Sequence, residues 1–322
     1  MQDVISYGYE NAVTPRTEIT AKLLEDFLSY LDVGSKKTEE TYKRSLRQFF
    51  IWANLNGITA PLLKDLIAFK EELRKTGHKP TTINTYVGAL RVFFQWTSDI
   101  NLYPDVARRL KREKVSSAPK KDYLTKSQVH DVLSVAHNEK GLQGLRDFAI
   151  ITLLATCGLR TIEVVRANIE DLRALGDDCV LYVQGKGKTE KADYVRVPEQ
   201  TERAIREYLK ARGKVQDSAP LFASLSNNSK QHGYRMTTRA VSGIAKASMR
   251  DAGFDSSRLT AHSLRHTACT LALHNGEQIE KVQQFARHEH INTTMIYSHQ
   301  LSKAKNTCSQ TVANAIFEGF SW

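Results

Sequence analysis

The sequence predicts a mainly α-helical protein: an N-terminal helical bundle followed by an α/β domain with a small antiparallel sheet. Three observations predict it. Apolar residues recur at three- and four-residue spacing from about Ile19 to Leu110. A polar, basic, proline-containing stretch then interrupts the pattern at 111–121. Beyond it, two short β-rich runs stand among renewed helical periodicity.

Residues 1–18 show no pattern and read as a lead-in. Leu23, Leu24, Phe27, Leu28 and Leu31 share one face of a first helix. A second helix fits Thr38 to Asn54, with Tyr42, Leu46, Phe49, Phe50 and Trp52 on its inner side, and a third runs from Pro61 to Arg74. A fourth, Thr81 to Thr97, carries Ile83, Tyr86, Leu90, Phe93 and Phe94. Amphipathic helices with short connections make a bundle, here over residues 19–110. The stretch from Lys111 to Lys121 reads as an interdomain linker, and its charges suit a phosphate backbone as well as they suit water.

The second domain, 122–322, opens on Leu124-Thr-Lys-Ser-Gln-Val129, where Thr125 and Gln128 form a capping box and Leu124 and Val129 a hydrophobic staple. Helices follow at 125–137 and 142–157, the latter stopped by Gly158. Cys179–Val183 and Asp193–Val197 read as the strands of a hairpin whose turn is Gly185-Lys-Gly-Lys-Thr-Glu-Lys191. Helices resume at 199–212, 237–252, 263–274, 278–286 and 292–304, and Val312, Ala315, Ile316 and Phe317 mark a C-terminal one.

Composition narrows the partners. The chain has 322 residues, enough for two domains, and a net charge of +11, so a polyanion is expected and nucleic acid fits best. The charges cluster inside folded segments, as at Lys43-Arg44 and Lys186-Lys188-Lys191, which suits a binding surface more than a tail. Cys157, Cys179, Cys269 and Cys308 show no close pairing, so neither disulfides nor a cysteine zinc site is expected, and a reducing cytoplasm is. The N-terminus lacks a basic and apolar signal pattern, and the most apolar run, Phe148–Cys157, is about half of a membrane span.

Several polar residues carry chemistry in this order. Arg160 lies just past Gly158, where its planar fork can meet two phosphate oxygens; with Glu163 it also matches a common surface pair. Lys186, between Gly185 and Gly187, is a mobile ammonium that can protonate a leaving oxygen, although Gly-Lys-Gly is equally an ordinary exposed turn. His262 and Arg265 sit one turn apart at a helix N-terminus and can face one anion, with His262 suited to proton exchange near neutral pH. A zinc site built on His262, His266, His288 and His290 has no HExxH glutamate and would place Arg265 beside the metal, so no metal is expected. Nine residues after His288 comes Tyr297, a phenol that becomes a nucleophile once cations hold a phosphate against it and a base takes its proton.

Taken together, Cys157-Gly-Leu-Arg160-Thr-Ile-Glu163, Gly185-Lys-Gly-Lys188, His262-Ser-Leu-Arg265-His266 and His288 through Tyr297 resemble the boxes of the tyrosine recombinase (phage integrase) family, nearest in size to its simple Xer-type members. The resemblance covers residues 19–300, with the N-terminal bundle similar to the family's SAM-like core-binding domain. It implies that Tyr297 attacks the scissile phosphate to form a 3′-phosphotyrosyl link. Arg160 and Arg265 would hold the non-bridging oxygens and His288 would donate a further hydrogen bond. Lys186 would protonate the leaving 5′-oxygen, with Lys188 its rival, and His262 would assist at Tyr297. It further implies no cofactor and no metal. The expected partners are a double-stranded DNA recombination site, a homotetramer on that DNA, and accessory DNA-bending or excision factors. The role expected is integration or excision of a mobile element, with dimer resolution, a type IB topoisomerase-like activity and an inactive DNA-binding regulator as alternatives. Toward the DNA the bundle would present Lys43, Arg44, Arg47, Lys79, Thr82, Asn84 and Arg91. One box departs from the family: Ala286-Arg287-His288 stands where Leu-Gly-His is usual.

Overall fold

The computed structural model describes residues 21–31, 36–115, 122–185, 188, 190–225, 233–304 and 307–318. The chain divides into two compact units, Met1–Ser117 and Ala118–Trp322. The lead-in 1–18 and linker residues 116–121 lie outside the described residues.

The first unit holds α1 (Ala21–Tyr30), α2 (Lys36–Leu55), α3 (Leu63–Lys75) and α4 (Pro80–Asp99). Its core is aromatic, because Phe27, Phe49, Phe69, Phe93, Phe94 and Trp96 all fall on the inward stripes that their spacing marks out. Phe27 meets Phe93 edge-on at 5.2 Å, and Phe49 meets Phe69 the same way at 5.2 Å. Residues after α4 fold back onto this bundle and bury Ala107 and Leu110. The start of the expected linker is therefore docked on the bundle: Glu113 binds Lys70 at 3.2 Å and Arg74 at 2.6 Å, while the Lys70 ammonium donates to the Lys111 carbonyl at 3.1 Å.

The second unit begins with α5 (Lys126–Asn138) and α6 (Gly141–Cys157). The capping box forms at the start of α5, with Gln128 N–H donating to Thr125 Oγ1 at 3.3 Å and Thr125 N–H to Gln128 Oε1 at 2.8 Å. Helix α6 is the central column, with Ile150, Ile151, Leu153 and Leu154 fully buried. After it come α7 (Thr161–Arg166), a 3₁₀ turn (Ile169–Asp171), β1 (Leu172–Leu175), β2 (Asp178–Val183) and β3 (Asp193–Arg196). The three strands form one antiparallel sheet in the order β1-β2-β3, with Leu181 opposite Leu172 on one side and Val195 on the other. The expected hairpin is thus extended by an edge strand. Then follow α8 (Glu199–Arg212), α9 (Thr238–Asp251), α10 (Ala261–His274), α11 (Ile279–Ala286), α12 (Ile291–Ala304) and α13 (Cys308–Phe317). A small second core, Cys269, Val282, Ala286 and Tyr297 with Phe285 against it, joins α10, α11 and α12. No helix of the described residues is long and apolar enough to cross a membrane.

Gly158 fixes how this unit builds its polar centre. It ends α6 in the left-handed region (φ 56°), and a Cβ there would lie 2.8 Å from the Phe285 ring. Gly158→Ala is expected to cost about 2–4 kcal/mol through backbone strain and overpacking, and to lower Tm by about 5–15 °C. A thermal melt matching the wild type would show that the ring moves aside freely.

Candidate active site

Four of the expected residues, Arg160, His262, Arg265 and His288, stand at or near the unit's helix ends, where backbone carbonyls and amides are left without helical partners. Arg160 caps the start of α7, one residue after Leu159 leaves the left-handed turn at Gly158. Glu163, fully buried, reaches back to it twice: Oε2 accepts the Arg160 backbone N–H at 2.8 Å and Oε1 binds the guanidinium at 2.9 Å. The Arg160 side chain remains about 30 % exposed, so the pair is a carboxylate-anchored cation opening on a cleft, not a surface pair.

Arg265, on the second turn of α10, is fully buried. Its Nη1 donates to the Gly158 carbonyl at 2.5 Å and its Nη2 to the Ala286 carbonyl. Both acceptors stand at helix C-termini, those of α6 and α11, where the dipole is negative and a cation is welcome. Its Nε is buried and makes no hydrogen bond among the described residues. Burial, and then the neighbouring Arg160, push the guanidinium down to about 10, with Glu163 opposing them.

His288 is buried against α12, with Nδ1 2.9 Å from Thr294 Oγ1. Burial pulls it down to about 4, helped by Arg265, Arg160, His262 and Arg287, so it is a neutral imidazole at pH 7. That shift makes stability depend on pH. Between pH 6.5 and 4 the unfolded chain takes up a proton that the folded one refuses, so stability is complete above 6.5 and is lost as pH falls toward 4. The loss is about 3 kcal/mol. His288→Gln should flatten the fall in Tm between pH 6.5 and 4.5; parallel wild-type and variant profiles would contradict this.

Tyr297 is 6 % exposed, its ring 4.7 Å from that of His266 and stacked on that of His288 at 6.0 Å. Burial pushes the phenol up to about 12; the neighbouring Cys269 thiol adds to the rise, and Arg265 and Arg160 oppose it. His262 lies exposed on the first turn of α10, near enough to His288 to repel its proton. The fold therefore brings together Arg160, His262, Arg265, His288 and Tyr297. Lys186 lies outside the described residues. Its rival Lys188 lines a cleft of about 850 Å³ together with Arg160, Glu163, Arg287 and His288. Among the described residues no group of His, Cys, Asp and Glu could hold a metal ion.

Three contributors to the site escaped the sequence reading. The carbonyls of Gly158 and Ala286 have no sequence signature as cation ligands, and Thr294 is an unremarkable threonine until α12 turns it toward His288. In the first unit, Lys43, Arg44, Arg47, Lys79, Thr82 and Arg91 are exposed. Asn84 is not available as expected. Its amide donates to the Glu113 carbonyl at 3.0 Å and accepts from the Glu113 N–H at 2.7 Å, so it clamps the returning chain and is not free to read a base.

Known proteins share this architecture. Residues 122–304 match the phage integrase family, and residues 24–99 match the N-terminal SAM-like domain of phage integrases. Tyrosine recombinase XerA of Pyrococcus horikoshii is 30% identical over 88% of this chain and 91% of its own length. Tyrosine recombinase XerD of Listeria innocua is 29% identical over 86% of this chain and 93% of its own. The XerH site-specific recombinase bound to palindromic difH substrate, a post-cleavage complex, has the same fold, with TM-score 0.69, 19% identity and 88% and 84% of the two chains covered. So does the Tn1549 transposon integrase in complex with circular intermediate DNA, with TM-score 0.64, 18% identity and 86% and 94% covered. With the integrase match running from the first residues of the second unit through α12 and the Tyr297 that α12 carries, this chain belongs to the phage integrase family of tyrosine recombinases.

Proposed function

We propose that this enzyme cuts and rejoins DNA at a specific site by attack of Tyr297 on a backbone phosphate. The observation that carries the reading is the convergence of two guanidiniums, Arg160 and Arg265, with neutral His288 on the phenol of Tyr297. The two arginines hold the non-bridging oxygens and offset the charge that builds as the fifth oxygen arrives, and His288 adds a neutral donor. A phenol near pKa 12 is ionised in only about one molecule in 10⁵ at pH 7, so its proton must leave as the bond to phosphorus forms, and His262 is the base we assign. The phosphorus–oxygen bond to the 5′-carbon breaks, and Lys186 protonates that oxygen, with Lys188 on the cleft wall as the alternative donor. The product is a 3′-phosphotyrosyl ester that keeps the energy of the broken bond, and a second strand's 5′-hydroxyl reverses the step.

On DNA the enzyme works as a homotetramer. What supports this is α13, whose Val312, Ile316 and Phe317 are about half exposed or more, an apolar face suited to a second copy. Lys43, Arg44, Arg47, Lys79, Thr82 and Arg91 supply contacts from the bundle, mostly to phosphates. The setting is movement of a mobile element: identity to the Xer relatives is 29–30%, and the box at Arg287 departs from the family pattern. A nicked suicide duplex built from DNA flanking the gene tests the chemistry. A covalent adduct whose labelled peptide contains Tyr297 is the expected result, with complexes of four chains on paired sites. Binding without adduct would leave a DNA-binding regulator, and site-independent relaxation of plasmid would leave a topoisomerase.

A further inference from the structure

Two non-glycine residues among the described ones have a left-handed backbone, Asn101 (φ 53°) and Arg287 (φ 52°). Asparagine adopts that region readily; arginine has no local reason to. Arg287 occupies the turn between α11 and α12, directly before His288, and both of its terminal nitrogens are bonded, while its buried Nε has no hydrogen-bond partner among the described residues. Nη1 donates to the Phe285 carbonyl at 2.7 Å, and Nη2 binds Glu163 Oε2 at 2.8 Å and approaches the Gly158 carbonyl at 3.5 Å. The side chain is 10% exposed, against a carboxylate that is not exposed at all. Its own backbone carbonyl accepts from Arg160 Nη2 at 3.2 Å. Glu163 is thus held between Arg287 on one oxygen and Arg160 on the other, with Arg265 close by on α10.

We propose that Arg287 is a positioning residue for cleavage, seating Glu163 so that the carboxylate anchors Arg160 without neutralising it. The inference rests on the recombinase reading above. A buried carboxylate with Arg160 as its one close cation would draw that guanidinium fully onto itself and away from a phosphate. A second guanidinium shares the carboxylate, and the charge of Arg160, Arg265, Arg287 and Glu163 together is +2. The five-coordinate phosphorus formed when a phenolate adds to a phosphodiester carries two negative charges, which this cluster matches. A strained backbone kept for its side chain is what such a role requires. The charges facing Glu163 are Arg160 from the start of α7, Arg265 from α10 and Arg287 from the α11–α12 turn. Burial alone would raise the Glu163 carboxyl, but Arg287 foremost, then Arg160 and Arg265, hold it below the usual range.

The test is single-turnover cleavage of the suicide duplex by Arg287→Gly, Arg287→Lys and the wild type across pH 5–9, with DNA affinity and thermal melts alongside. Glycine relieves the backbone but gives up the ion pair to buried Glu163, so Arg287→Gly should melt a few degrees below the wild type and stay folded. It should bind DNA within about threefold and cleave about 10–100-fold more slowly. Its acid limb should move to higher pH, because Glu163 loses the cation that keeps it ionised. Arg287→Lys, which keeps the charge and loses the fork, should restore the acid limb and leave the rate low. Wild-type rate and an unmoved acid limb in Arg287→Gly would overturn the proposal. Should that variant melt below the assay temperature, Arg287→Lys decides: native melting with slow cleavage supports the role, and native melting with wild-type cleavage overturns it. A wild type that forms no adduct in the same gels sinks the recombinase reading itself, which is a separate outcome from equal rates in wild type and variant.

Discussion

Tyr297→Phe is expected to bind its DNA site as tightly as the wild type and to form no covalent adduct, a loss of at least ~10⁴-fold in cleavage. The substitution removes one oxygen from a side chain that is 6 % exposed and packed with Cys269, Val282 and Ala286, so the ring keeps its place. What the fold loses is at most a weak contact of the hydroxyl with the neighbouring Cys269 thiol, and stability should change by about 1 kcal/mol or less. Binding rests on cations, and none is touched. The comparison therefore separates chemistry from recognition with little structural disturbance. The same assay reports how the phenol loses its proton. With the phenol pushed up to about 12, attack by free phenolate would make the rate climb tenfold per pH unit across pH 7–9. Removal by His262 in the transition state instead gives a shallower slope, which steepens in His262→Gln. A tenfold climb per unit in the wild type would remove His262 as the base, and an adduct in Tyr297→Phe would place the nucleophile elsewhere.

The helices were legible because burial writes a 3.6-residue period into the sequence, and the aromatic stripe of α2 and α4 is a strong instance. The edge strand β1 was not, because Leu172-Arg-Ala-Leu175 is four residues long and largely exposed, with no alternation to read. Helix α7 has six residues, less than two turns, too few for a period to show. The site divides in the same way. Side chains that do chemistry must be Arg, His and Tyr, and their order along the chain exposed them. The groups that aim them are backbone carbonyls, which every residue has. Asn84 shows the converse failure: its place on a basic helix suggested base reading, but the chain returning at Glu113 captures the amide at both ends. No local pattern encodes that return.

Arg265→Lys should lower the single-turnover cleavage rate by about 10³-fold while DNA affinity falls only a few-fold. The substitution exchanges one cationic residue type for another, so a long-range electrostatic account predicts little change; the geometry predicts a large one. Arg265 spans two carbonyls, Gly158 at the end of α6 and Ala286 at the end of α11, and these grip both terminal nitrogens of a planar fork. An ammonium is a single point and cannot bridge them, so one helix end loses its donor and the cation loses its fixed direction. The desolvation that already pushes the guanidinium down to about 10 acts on lysine from a lower ordinary value, about 10.4, so a buried lysine here holds its proton less firmly than the guanidinium does. One buried carbonyl without a donor costs about 1–3 kcal/mol, so Tm should fall by a few degrees. The defect in cleavage should also shrink as pH is lowered and the amine takes up its proton, a dependence that the arginine enzyme lacks. Wild-type cleavage by Arg265→Lys would mean that charge alone suffices. A large defect that is independent of pH would mean that the lost bridge, and not the lost charge, accounts for all of it.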